Sequence, residues 1–287
     1  MFIDSFPPRV ADARLPFVVL DTESEYDLDV HDRYLAAERF TDDDKVALHP
    51  RDAREDPRVH PRWPCQRITA MSWLILRDTS DGLVPERMET RGRPEQDEGQ
   101  IIAAFLTDMQ QLGPARLVTW GGFAADMPPI MLAAMAAGLT MPDSLSGLLS
   151  PWQRSRSGHI DLMSEISGGA ARPHMAEVAA KLNIPCKLTC RPDLVSRLMT
   201  RGKWSDVKSV AEGDCLTLTA ILMAWKHLGG AGASMLEGTR RLSKFVADHL
   251  GHRHYASTWI EHGEHALRDA FAREADKLAA LAPHLAD

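Results

Sequence analysis

Along this chain the spacing of apolar and polar positions changes several times, and each change marks an element. After Pro16 the run FVVLD is short, β-branched and apolar, which predicts a central strand. It runs into TESEYD, so that Asp21, Glu23, Glu25 and Asp27 follow one another at alternate positions. Residues 24–64 are polar, acidic around Asp42, Asp43 and Asp44, and broken by Pro50, Pro57, Pro61 and Pro64, which predicts a long excursion. RITAMSWLIL (67–76) predicts a second buried strand, and LVPERME (83–89) a third, paired with it across a turn at Asp81 and Gly82. In the stretch 95–113, Ile101, Ile102, Phe105, Leu106 and Met109 recur at helical spacing, the apolar stripe of an amphipathic helix.

ARLVTW (115–120) predicts another strand, followed by a glycine turn and a helix in DMPPIMLAAMAAG. Beyond residue 158 the pattern is mostly helical, with MAEVAAKLN near 175, LVSRLMTRG near 194 and a longer helix from Trp204 to Leu228. GGAGAS (229–234) reads as a hinge before two last helices. Strands first, a helix between them and helices afterwards predict an α/β or α+β domain over residues 1–230, with a helical extension over 231–287. No internal repeat interrupts this order.

Composition narrows the class. At 287 residues, 44% hydrophobic and 25% charged, the chain has the make-up of a soluble globular protein. No run nears the roughly 18 apolar residues of a membrane span, and MFIDSFPPRVADAR lacks a signal-peptide core, so a cytoplasmic location is expected. In that compartment Cys65, Cys186, Cys190 and Cys215 are expected as thiols, and Cys186 and Cys190 lack the second pair a zinc motif needs.

A net charge of -7 argues against coating nucleic acid by bulk positive charge. It leaves room for an enzyme that holds acids at a metal and gathers bases locally. Two basic clusters fit that description. One is Arg51, Arg54, Arg58, Arg62 and Arg67 with His49 and His60; the other is Lys187, Arg191, Arg197, Arg201, Lys203 and Lys208. Either is equally readable as solvated surface charge.

The carboxylates carry the candidate chemistry. Residues two apart on a strand share a face, so Asp21 and Glu23 aim at one point. Two such groups repel unless a cation lies between them, and a hard divalent ion such as Mg²⁺ or Mn²⁺ suits oxygen ligands. A DxE pair alone is a weak signal. Asp126 precedes MPPIM, where a helix N-cap explains it as well. Asp214 sits among Val210, Leu218, Ile221 and Leu222 on a helical stripe, where a carboxylate needs a partner.

Taken in order, DTE, DMPPIM, HIDLM, AEVAAKLNIPCK and AEGDCLTLTAIL resemble the predicted 3′-5′ exonucleases related to the exonuclease domain of family B DNA polymerases. These belong to the DEDD group of the ribonuclease H-like superfamily, and the resemblance covers roughly residues 16–228. It implies a central mixed sheet flanked by helices. It also implies that Asp21 and Glu23 form the first motif, Asp126 the second and Asp214 the third, together holding two Mg²⁺ or Mn²⁺ ions, with Asp21 bridging both. The substrate expected is a single-stranded or fraying nucleic acid end, DNA favoured over RNA, contacted at Thr22 and Lys187. Lys187 reads equally as a surface lysine, and His159 and Asp161 of the HxDL segment are expected to be mainly structural.

The chain departs from the family pattern at the third motif. A tyrosine four residues before the aspartate, or a histidine five before it, normally orients the attacking water; here Val210 and Ser209 stand there. The second motif carries Gly121-Gly122 and Ala125-Asp126 where asparagine-glycine and phenylalanine-aspartate are usual. Loss of a water-orienting group costs about 10²–10⁴ in rate. The expectation is therefore an exonuclease, slow or differently assisted, with a protein that binds nucleic acid or a protein partner without cleavage as the alternative. Glu212, Tyr26 and Tyr255 are conceivable substitutes for the missing residue. In the extension, His262 and His265 stand three apart among His249, His252 and His254, a spacing open to a metal but more in keeping with surface histidines, and the helices are open to self-association.

Overall fold

The computed structural model describes residues 14–37, 63–149 and 158–281. Its strands are β1 (Phe17–Tyr26), β2 (Gln66–Thr79), β3 (Gly82–Gly92), β4 (Arg116–Thr119) and β5 (His159–Asp161), and they form one sheet in the order β3-β2-β1-β4-β5. β2 pairs antiparallel with β1 and β3, while β4 pairs parallel with β1 and β5, so the sheet is mixed as expected. The helices are α1 (Leu28–Ala37), α2 (Glu98–Leu112), α3 (Met127–Ala136), α4 (Leu162–Ser167), α5 (Met175–Leu182), α6 (Val195–Thr200), α7 (Trp204–Leu228), α8 (Met235–Leu250) and α9 (Ala256–Leu281).

Both faces of the central strands are covered, which is why their apolar runs are continuous rather than alternating. Val18 and Leu20 on β1 join Trp73 and Ile75 of β2, Phe105 of α2 and Ile130 of α3 in one core. Phe17 and Val19 point the other way and join Leu74, Leu76 and the α7 residues Leu218 and Ile221. The alternation of β1 therefore assigns each later residue to a side before any contact is considered. α2 starts in a capping box, with Asp97 accepting from the Gln100 amide and Gln100 answering to the Asp97 amide.

Several local expectations shift. The first part of the predicted excursion is ordered: β1 continues to Tyr26 and α1 follows, capped by Asp27, whose Oδ1 accepts from the amides of Asp29 and Val30 at 3.0 and 3.1 Å. Residues 38–62, with Arg51, Arg54, Arg58, Arg62, His49 and His60, lie outside the described residues. Between β2 and β3 the turn is Ser80-Asp81, and Gly82 already pairs with Thr79.

The predicted hinge is a packed turn. Gly82 has φ 107°, and a Cβ there would lie 2.4 Å from the Ala233 amide nitrogen. Around it, Arg241 donates to the Asp81 carbonyl at 3.1 Å and Lys226 pairs with Asp78 at 2.9 Å. Leu242, Phe245 and Val246 of α8, then Tyr255 and Trp259, enter the same core as Phe17 and Val19. The helical extension thus begins as part of that core. Farther along α9, Phe271 and Leu281 are exposed. Among the described residues no helix is long and apolar enough to cross a membrane.

Candidate active site

Asp21 and Glu23 continue the face of β1 that carries Phe17 and Val19, so both turn toward α7. Beside Glu23 the pairing with β2 slips by one residue, from Ala70 to Ile68, and the intervening Thr69 hydroxyl donates to the Glu23 carbonyl at 3.1 Å. On α7, Asp214 lies one turn before Leu218 on the buried stripe and is itself buried. One carboxylate oxygen from each of Asp21, Glu23 and Asp214 lies within 4.8 Å of the others.

Asp126 borders this group from the other side of β1. It begins α3, but its side chain makes no capping hydrogen bond. Instead Oδ1 accepts from the Thr22 hydroxyl at 2.7 Å. Thr22, expected at the substrate, points to the α3 face because it alternates with its two acidic neighbours. The turn before Asp126 is fixed by Asp161, which accepts from the Gly121 amide at 2.9 Å and the Phe123 amide at 3.4 Å and also caps α4. Gly121 has φ 71°, a left-handed conformation open to glycine at little cost. His159 bonds Thr119 at 2.8 Å, and Phe123 packs edge-on against its ring. Asp161 and His159 thus hold β4 and the turn that leads to Asp126.

The electrostatics are those of carboxylates crowded away from water. Burial, then Asp214, Glu23 and Asp126, push the Asp21 carboxyl well above its ordinary range. Burial and then Asp214 raise Glu23 to about 8. Asp126 rises to about 6 through burial, held back by the Thr22 hydrogen bond. At Asp214 burial outweighs the opposing pull of Lys187, and its carboxyl is raised as well. Asp21 Oδ2 is enclosed and has no hydrogen-bond partner among the described residues. An orphaned buried oxygen among like charges fits a divalent cation, which would satisfy the atom and lower all these values at once.

Lys187 is not fully solvated. Its ammonium pairs with Asp214 Oδ2, the lysine partly and the aspartate deeply buried. Burial disfavours that ammonium, yet Asp214, Asp21 and Glu23 together raise its pKa. Exposed Arg191, Arg197, Arg201 and Lys203 follow along the loop and α6.

Two conceivable substitutes for the missing tyrosine are engaged elsewhere. Residues two apart on a helix point about 200° from one another, so Glu212 faces away from Asp214. It accepts from Arg253 at 2.5 Å and from the Tyr255 hydroxyl at 2.8 Å. Tyr26 is the last residue of β1, its ring 5.6 Å from that of His31. Val210, one turn before Asp214, packs with Ala70, Val195, Met199 and Val207. Glu25 and Asp27 pair with Arg67, and Glu25 also with Arg93 at 2.9 Å. All four cysteines are free, and among the described residues no histidine joins a cluster of three or more metal-ligating groups.

A mixed five-stranded sheet in this order, flanked by helices, is a ribonuclease H-like α/β fold, and Asp21, Glu23 and Asp214 meet beside its central strand. Residues 59–262 match the family described as predicted 3′-5′ exonucleases related to the exonuclease domain of PolB, and the chain belongs to that family. The match begins after β1, so Asp21 and Glu23 lie outside it, and it continues through α8 into α9. Among solved structures, the family B DNA polymerase from the hyperthermophilic archaeon Pyrobaculum calidifontis is similar, at 17% identity and a TM-score of 0.46. That similarity covers 87% of this chain and 30% of the polymerase chain. No curated protein matches the chain in sequence.

Proposed function

We propose that this protein is a metal-dependent 3′-5′ exonuclease that acts on single-stranded or frayed DNA ends. Asp21, Glu23, Asp126 and Asp214 would hold two Mg²⁺ or Mn²⁺ ions. The observation that carries this reading is the convergence of Asp21, Glu23 and Asp214, with ligand oxygens within 4.8 Å of one another and Asp21 Oδ2 left without a partner. When bound, such ions supply activation of a water and stabilisation of charge on the leaving oxygen. In the reaction a water oxygen bonds to phosphorus, the bond from phosphorus to the 3′ oxygen breaks, and that oxygen takes up a proton. A 5′-mononucleotide leaves and the strand keeps a 3′ hydroxyl.

The chain's own residues divide the work. Asp21 and Glu23 present ligands from a rigid central strand, and Asp214 from a helix packed on it. Thr22 and Asp161 set the direction of Asp126. Lys187 and the exposed Arg191, Arg197, Arg201 and Lys203 support a path for the anionic strand. DNA is favoured over RNA by the family's relation to a DNA polymerase's exonuclease domain.

A second reading, binding without turnover, is favoured by Val210, whose apolar packing leaves no water-orienting group one turn before Asp214. Labelled single-stranded DNA incubated with Mn²⁺ or Mg²⁺ separates the two. Shortening from the 3′ end by the native chain, lost in Asp21→Asn and Asp214→Ala, supports the exonuclease. Equal product from native and Asp21→Asn protein would sink it, and retention of DNA without product would favour the binding reading.

A further inference from the structure

Lys187 is placed in the carboxylate group by more than its own side chain. Its backbone sits at φ 54°, a left-handed conformation that a residue with a side chain adopts at a cost. The loop that carries it is clamped to α7, where the Thr217 hydroxyl donates to the Pro185 carbonyl at 2.9 Å, one turn below Asp214. Its ammonium ends on Asp214 Oδ2, with 26% and 7% of the two side chains exposed.

Asp214 is thus claimed twice, by Lys187 and by the cation that its proximity to Asp21 and Glu23 invites. A carboxylate oxygen in direct contact with an ammonium is not open to a metal on the same side. Asp214 is the more deeply buried of the two, so opening the pair leaves its charge uncompensated unless another cation takes the place of the lysine. Charge counting points the same way. Three carboxylates are balanced by one divalent ion together with Lys187, while Asp126, engaged by Thr22, stands outside that balance.

We infer that Lys187 competes with divalent metal for Asp214, so that the closed Lys187–Asp214 pair keeps one ion fewer in the site than its carboxylates can hold. The lysine is a positioning residue in this role. It keeps Asp214 oriented and charge-compensated, and it sets how many ions the free protein takes up. This rests on the metal site proposed above.

Counting bound Mn²⁺ by electron paramagnetic resonance of the free ion, on the full chain without nucleic acid, tests it independently of cleavage. K187M and K187Q remove the ammonium, K187R keeps a cation, and D21N removes a ligand of the proposed site. Circular dichroism checks that each is folded, and K187Q stands in should K187M not fold. The expected result is one additional bound ion per chain in K187M or K187Q relative to the native protein, with K187R at the native count. An equal count in native protein and the uncharged variants overturns the inference while leaving the metal site in place. Absence of any D21N-sensitive Mn²⁺ in native protein and variants alike overturns the metal site itself, and the inference with it.

Discussion

The Tyr255 hydroxyl donates to Glu212 at 2.8 Å inside the seam between α7 and the turn joining α8 to α9. Both residues are almost completely buried, and Arg253 completes the cluster. This contact ties the C-terminal helices to the helix that carries Asp214. It also commits the tyrosine to a structural partner.

Tyr255→Phe should therefore leave the rate of DNA cleavage within about twofold of the native value, while costing about 1.5–3 kcal/mol, the worth of a hydrogen bond to a charged group. Urea unfolding and a single-turnover cleavage assay read the two quantities. A loss of about 10²-fold, the scale of a missing general base, would return Tyr255 to the catalytic role.

Asp21→Asn removes one of the crowded charges and one proposed metal ligand. Cleavage should fall by about 10²–10³-fold, the scale of losing one group that stabilises transition-state charge. The metal-free protein should melt about 2–4 °C higher, the scale of 1 kcal/mol in a domain of this size. A lower melting temperature would show that the carboxylates do not repel one another in the native state.

Stability of the metal-free protein should decline as pH rises. A carboxyl whose pKa is raised in the folded state binds more protons there than in the unfolded chain, so ionisation favours unfolding. For Glu23 the window runs from its ordinary value of 4.5 to about 8, and for Asp126 from 3.8 to about 6. Saturating Mg²⁺ should reverse the trend across the same window, because cation binding displaces those protons. Melting curves between about pH 5 and 8, with and without Mg²⁺, check both slopes. Parallel slopes would argue against metal at these carboxylates.

Gly82→Ala should destabilise the fold by about 2–3 kcal/mol, the range of a forced clash at a special backbone conformation. The added Cβ would meet the Ala233 amide nitrogen at 2.4 Å, so the β2–β3 turn and the α7–α8 turn must separate. Urea unfolding reads the loss. If the α7–α8 turn were a free hinge, the added methyl would find room and the cost would be only that of the unfavourable φ.

Much of the fold was legible because its signals are local. The apolar runs at 17–20, 67–76 and 115–120 marked β1, β2 and β4, and the helical stripe at 101–109 marked α2. β5 was harder, since three residues hold too little pattern. In the site, the spacing of Asp21 and Glu23 and the helical stripe around Asp214 were enough to propose carboxylates facing one point. The directions of Glu212 and Tyr255 were not, because a residue's partner depends on which helix docks against it. Nor were the ion pairs of Glu25 and Asp27 with Arg67, since the strand that brings Arg67 alongside them lies some forty residues away.

By itself the sequence determined the two periods, the sides of β1 and α7 on which the acids fall, and their order along the chain. Only the tertiary structure decided what each acid meets: Asp214 takes Lys187, Asp126 takes Thr22, and Asp21 Oδ2 takes no partner among the described residues. Periodicity is written into neighbouring residues through backbone geometry, whereas the pairing of buried charges follows from the docking of elements distant in the chain, where burial makes every unmatched group costly.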